Sequence, residues 1–345
     1  VRKYIVLGQG KTYDANRSGS APGSAFAVET GVTVEIYNLQ IKGGNAMSSS
    51  WSTGGGIFTR GSVYLKNSTY VGKPSYSPCT YTQNDIQNSP ANKAGQGGGV
   101  YVANGGYLEV DETSSICGNQ VGYISGIDIR GGGLYVKSGG FAKFKGTSTT
   151  KMAKVCYNLS TYGTYGAAIF VEGSGEVYFS NTEIHNNWIQ SIGVPGLFLC
   201  DQAIFYAYNL VMHDNTNNVV PNDADDLFGS AIHCAGALFI DTTSTNSSCP
   251  GAFAYLNLYS NDGVDFYLPK GIKKKGESFS GSQTYDWWYG LFGSGGTSSL
   301  TPSCTFMAGY GTGDNKKKIQ FTANSTMDCN GGSIKIANYA TAWTP

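Results

Sequence analysis

An all-β solenoid is the fold class this sequence predicts: a single-stranded, right-handed parallel β-helix of about seven to eight coils with a C-terminal cap or small β-extension. Three observations predict it. A glycine phrase recurs before short alternating stretches, a second phrase ending in Asn closes most units, and the joints between units vary in length while the alternating stretches do not. Repeats of this kind outrank local propensity, because missing one misreads the whole fold.

The glycine phrase reads Gly54-Gly-Gly-Ile57, Gly97-Gly-Gly-Val100, Gly131-Gly-Gly-Leu134 and Gly166-Ala-Ala-Ile169, with weaker copies at Gly23-Ser-Ala-Phe26 and Gly229-Ser-Ala-Ile232. Each is followed by a period-two stretch such as Val100-Tyr-Val102, Leu134-Tyr-Val136 or Ile169-Phe-Val171. A turn and a second stretch follow, as in Leu108-Glu-Val110, Ala142-Lys-Phe144, Val177-Tyr-Phe179 and Leu238-Phe-Ile240. Alternation is the strand signal and the glycine joints are the turn signal. Glycine ahead of a strand permits close backbone approach or a positive φ.

The closing phrase is an apolar residue with Asn three positions on: Ile116-Cys-Gly-Asn119, Val155-Cys-Tyr-Asn158, Ile184-His-Asn-Asn187, Met212-His-Asp-Asn215 and Leu258-Tyr-Ser-Asn261. Asn at a recurring turn is expected to occupy the left-handed region and to stack its amide on the Asn of the next coil. Phrase starts at 54, 97, 131 and 166 lie 43, 34 and 35 residues apart. Constant strands with elastic joints describe coils carrying surface loops, and such coils bury their apolar faces only against neighbours. Val100, Leu134 and Ile169 are thus expected to form one interior column. A twisted sandwich with glycine-rich loops is the alternative, but it does not produce paired phrases in fixed order.

Over roughly residues 20–265, this alternation resembles the repeats of polymorphic outer-membrane proteins, with GAAI and GSAI standing where GGAI is the family's form. The resemblance implies a right-handed β-helix adhesin of the passenger type and attachment at a cell surface. From about Lys270 the repeat grammar stops, which divides the chain into a β-helix (1–268) and a C-terminal cap or extension (269–345). The open end of a solenoid exposes strand edges and core and needs such a cap. Within it, Trp287, Trp288 and Tyr289 are candidates for stacking on a glycan or filling a partner's pocket.

Aligning the closing phrases places Cys117, Cys156, His185 and His213 in one column. Two Cys and two His suit zinc, but coils about 4.8 Å apart spread four such residues over roughly 14 Å, too far for one metal. A Cys117–Cys156 disulfide, with His185 and His213 as a stacked pair, fits the spacing. Acid would weaken that pair by like-charge repulsion. Cys200 and Cys234 also align, as a buried thiol pair or a second bridge. Two of Cys249, Cys304 and Cys329 are expected to staple the C-terminal region, leaving Cys79 as the odd cysteine.

Composition bounds partners and compartment. Twenty-three basic residues balance 23 acidic ones, and the charged share of 13% is half the usual ~25%. Such a chain has no electrostatic footprint for nucleic acid or an anionic membrane. It has no apolar run long enough for a membrane span. Val1 reads as a mature terminus or a fragment boundary. Eight cysteines without a CxxC, scarce charge and 24 tyrosines favour an extracellular or cell-surface location. Sequons at Asn16, Asn67, Asn158, Asn246 and Asn324 are glycosylation candidates.

Catalysis has little to stand on. Glycoside hydrolysis needs paired carboxylates and lyase chemistry needs bound Ca²⁺ with a base, whereas the repeat strands are acid-poor. Asp128 and Arg130 form a possible active-site remnant, and Asp223, Asp225 and Asp226 a candidate Ca²⁺ cluster; no catalytic residue and no cofactor beyond that Ca²⁺ is assigned. The sequence therefore predicts a secreted or cell-surface structural protein that self-assembles into a filament or layer, or an adhesin for surface glycan or protein. The alternative is a polysaccharide-binding or polysaccharide-degrading protein of lyase or glycosidase type.

Overall fold

The computed structural model describes residues 2–75, 81–162, 165–191, 193–199 and 203–217. Beyond them it describes seven strands: Ile232–Cys234, Ala237–Ile240, Tyr255–Tyr259, Phe266–Tyr267, Thr305–Ala308, Lys318–Phe321 and Met327–Asp328. The chain winds as a parallel β-solenoid, with strands in three sheets of 14, 9 and 6 members. Every strand pair among the named strands is parallel, because each strand meets its equivalent one coil away.

The nine-stranded sheet holds the stretch after each glycine phrase. Val100, Leu134 and Ile169 pair in one register column, flanked by Ile57 and Leu197, and all five are fully buried. The 14-stranded sheet holds the second stretch and the closing phrase, and the second stretch shows the alternation: in Tyr107–Asp111, Leu108 and Val110 are buried while their neighbours are partly exposed. Among the described residues, inward side chains from successive coils form one continuous core, in which Phe144 stacks on Phe179 at 5.1 Å. Each fully buried Leu, Val or Phe contributes roughly 1.5–3 kcal/mol.

Besides Arg2–Asp14, three long strands among the described residues, Val32–Lys42, Glu176–His185 and Ile204–His213, run unbroken through the corner that divides the other coils into two strands. Asn38 and Asn181 turn the first two of these corners with φ of 51° and 44°. Asn and Asp tolerate that region better than other side chains. The six-stranded sheet, Asn45–Ala46 through Thr216–Asn217, holds the two-residue strands after the closing phrase.

The two sequence phrases prove to be in contact. Gly131, first in its phrase, has φ of 65°, and a Cβ on Gly133, the third, would lie 2.7 Å from Ala168 O and from Asn158 Nδ2. The glycine is small because the asparagine of the other phrase occupies the space beside it.

Of the expected cap, only Thr305–Ala308, Lys318–Phe321 and Met327–Asp328 are among the described residues. They pair in parallel with Ala237–Ile240, Tyr255–Tyr259 and Phe266–Tyr267. No helix among the described residues is long and apolar enough to cross a membrane.

Candidate functional site

Asparagine forms the inner rail of the site. Asn92, Asn119, Asn158, Asn187 and Asn215 are fully buried. Each of the first four donates from Nδ2 to the Oδ1 of the next, at 2.8, 3.1, 3.0 and 2.9 Å. Nδ2 also donates back to the preceding coil, for example Asn158 to Ile116 O at 3.0 Å. Such a ladder is fully satisfied, which is the condition under which buried amides stabilise. The left-handed residue, however, is not the ladder Asn. It is the residue before it: Gly118, Tyr157, Asn186 and Asp214 have φ of 71°, 55°, 51° and 53°. The turn must be made before the amide can point inward.

Two further consequences correct or extend the sequence reading. Asn158 carries a sequon, but its Nδ2 is committed to two hydrogen bonds in the core, so a glycan there is incompatible with this packing. Asn92 is not recognisable as a rung from sequence, because residues 72–91 intervene between it and its apolar partner Val71. Asn16 and Asn67 are exposed, while Asn246 and Asn324 lie outside the described residues.

Ile116, Val155, Ile184 and Met212 face the core, so the residues after them face outward. Cys117, Cys156, His185 and His213 indeed stand in consecutive register. Cys117 and Cys156 form a disulfide with Cα atoms 4.6 Å apart. Both are fully buried although they face outward. The helix Gln83–Asn88, opened by a Thr82–Asp85 capping box, sets Ile86 into a cluster with Cys117, Cys156, Tyr157, Leu159 and Trp188. Tyr81 packs on the same cluster and meets Tyr157 edge-on at 5.4 Å.

The two imidazoles stack at 5.1 Å with planes 5° apart, yet their environments differ. His213 lies between Asp214 Oδ2 at 2.7 Å and Glu183 Oε1 at 3.0 Å. Burial opposes its charge, but the two carboxylates outweigh burial and raise its pKa. His185 has only Asn186 Oδ1 at 2.7 Å from Nδ1, its Nε2 is buried without a partner, and burial lowers its pKa. Glu183 is kept ionised: burial pushes its pKa up, but His213, His185 and Lys154, 2.9 Å away, bring it far below the usual range.

An outward aromatic ladder runs along the nine-stranded sheet. Phe58, Tyr101, Tyr135, Phe170 and Phe198 stack in sequence at 5.7, 4.8, 5.1 and 5.3 Å. Burial, with Glu172 nearby, pushes the Tyr101 hydroxyl up to about 12. Arg130 lies over the Phe170 ring at 4.7 Å and pairs with Asp128 at 2.9 Å, so this pair packs a ladder. Stacked rings cover one another's faces and show solvent their edges, whereas sugars stack on faces.

No known protein family, curated protein or solved structure matches this chain. The solenoid stands on its own geometry, and the resemblance to polymorphic outer-membrane repeats gains no support from those comparisons. Among the described residues, no group of three or more His, Cys, Asp or Glu is placed to hold a metal ion. Asp223, Asp225, Asp226, Cys79, Cys200, Cys249, Cys304, Cys329, Trp287, Trp288 and Tyr289 lie outside the described residues. Cys234 pairs in register with Leu199.

Proposed function

We propose that this chain is an extracellular structural protein that assembles end to end by strand stacking. One observation carries the proposal. The 13-residue strand Arg2–Asp14 pairs on one side with Val32–Lys42, and no named strand pairs with its other edge. Tyr4, Ile5 and Leu7 on it are more than half exposed. A long edge that no described strand covers, with apolar side chains on it, is a template for another strand, and a second copy offers parallel strands of the same pitch. The buried disulfide suits an oxidising compartment. Sedimentation velocity and electron microscopy test the reading. Ordered polymers that disappear in Ile5→Lys and Leu7→Lys support it. A chain that stays monomeric at high concentration, with no polymer visible, refutes it.

Glycan binding is a second reading with one observation of its own. Tyr123 and Tyr162, each more than half exposed, sit 5.2 Å apart on neighbouring coils with rings tilted by 33°. Binding on a glycan array that is lost in Tyr123→Ala favours an adhesin. Reducing-sugar release from a polysaccharide panel favours an enzyme instead.

A further inference from the structure

A continuous run of rings joins segment 81–91 to the histidine pair. Tyr81 meets Tyr157 edge-on, Tyr157 meets His185 edge-on at 5.3 Å, and His185 stacks on His213. The segment is tied at its end by Ala91 N donating to Gly118 O at 2.9 Å, and its body lies over the disulfide through Ile86. Tyr157 holds this position with a left-handed backbone, an unfavourable conformation for a bulky residue that only dense packing sustains.

Contacts assign the proton positions. Asn186 Oδ1 accepts from His185 Nδ1, so Nε2 carries the lone pair, and no acceptor awaits a proton there. The facing ring is His213, which Glu183 and Asp214 favour as a cation. We propose that His185 is an acid-sensitive latch: a proton taken up there forces the stacked imidazoles apart and frees segment 81–91 from the Cys117–Cys156 bond.

The other charged groups nearby do not cancel this effect. Glu183 favours a proton on His185 but is already engaged by His213 and Lys154. From the covering segment, Asp85 is bound by Thr82 N and Oγ1, and from outside it Lys73 reaches over the Tyr81 ring at 4.9 Å. Burial depresses proton affinity at His185, so the latched form holds fewer protons than the released form. The latched form is therefore favoured above the ordinary histidine value of 6.5 and loses ground as the pH falls through it.

The test is phosphine reduction of Cys117–Cys156 in the full chain, read by peptide mass spectrometry and normalised to a small exposed disulfide at each pH. Between about pH 7.5 and 5 the wild-type rate is expected to rise by about tenfold. His185→Phe, which keeps a ring but cannot titrate, is expected to show a flat profile, with His185→Gln as a second non-titrating variant should Phe disturb folding. His213→Gln removes the facing charge that lowers proton affinity at His185 and is expected to make the rise smaller. A pH-independent wild-type rate, an equal rise in both His185 variants, or an undiminished rise in His213→Gln overturns the proposal.

Discussion

Two columns lie one residue apart on the same strands, and they are buried by different means. Ile116, Val155, Ile184 and Met212 are buried by the winding itself, since every coil must turn its apolar side inward. Cys117 and Cys156 point the other way, and Ile86 and Tyr81 of segment 81–91 pack over them. The inward column is interchangeable in chemistry, and any apolar residue of the right size serves. The outward column is specific, combining a disulfide, an unpartnered imidazole nitrogen and a carboxylate-held histidine within a few coils. On a solenoid, repetition builds the scaffold and interruptions of the repeat build the sites.

Substitutions can break this contrast, beginning with the largest effect. Phe144→Ala empties an inward position and is expected to cost about 3–5 kcal/mol in a denaturant titration. Phe141→Ala, three residues earlier on the partly exposed face of the same strand, should cost clearly less; equal losses would erase the distinction between the faces. Replacing Cys117 and Cys156 together by Ser should cost about 2–4 kcal/mol, chiefly by freeing the unfolded chain. That would make the covered outward column as important to stability as a core position.

A smaller effect depends on pH. The pKa of His213 is raised, so its contribution to stability is complete below 6.5 and is lost as the pH rises through the raised value. Denaturant midpoints measured against pH should show wild type losing stability on the alkaline side where His213→Gln stays level. A parallel loss in both would locate the titration elsewhere. The smallest effect is expected outside any cover. Lys145 and Glu109 pair at 3.4 Å across adjacent coils on the partly exposed face, and Lys145→Ala should change stability by less than about 1 kcal/mol.

Much of this molecule was legible in its residues. Alternation after Gly97, Gly131 and Gly166 specified which side chains face inward, and the aligned closing phrases placed Cys117 beside Cys156 and His185 beside His213. These inferences succeed because in a repeat the neighbour across the sheet is an equivalent position in sequence, so register follows from counting. The exchange of left-handed conformation from the ladder Asn to the residue before it escaped the pattern, since both positions are rich in residues that tolerate positive φ. Asn92 escaped because a long insertion separates it from its partner. Only the tertiary structure decided that residues 81–91 cover the disulfide, that Asn158 is inaccessible, and that Glu183 and Asp214 hold one histidine and not the other. Those outcomes depend on where irregular segments land on the outside of the coil, and no periodic signal encodes that; the sequence by itself determined the winding, and packing against the winding determined the chemistry.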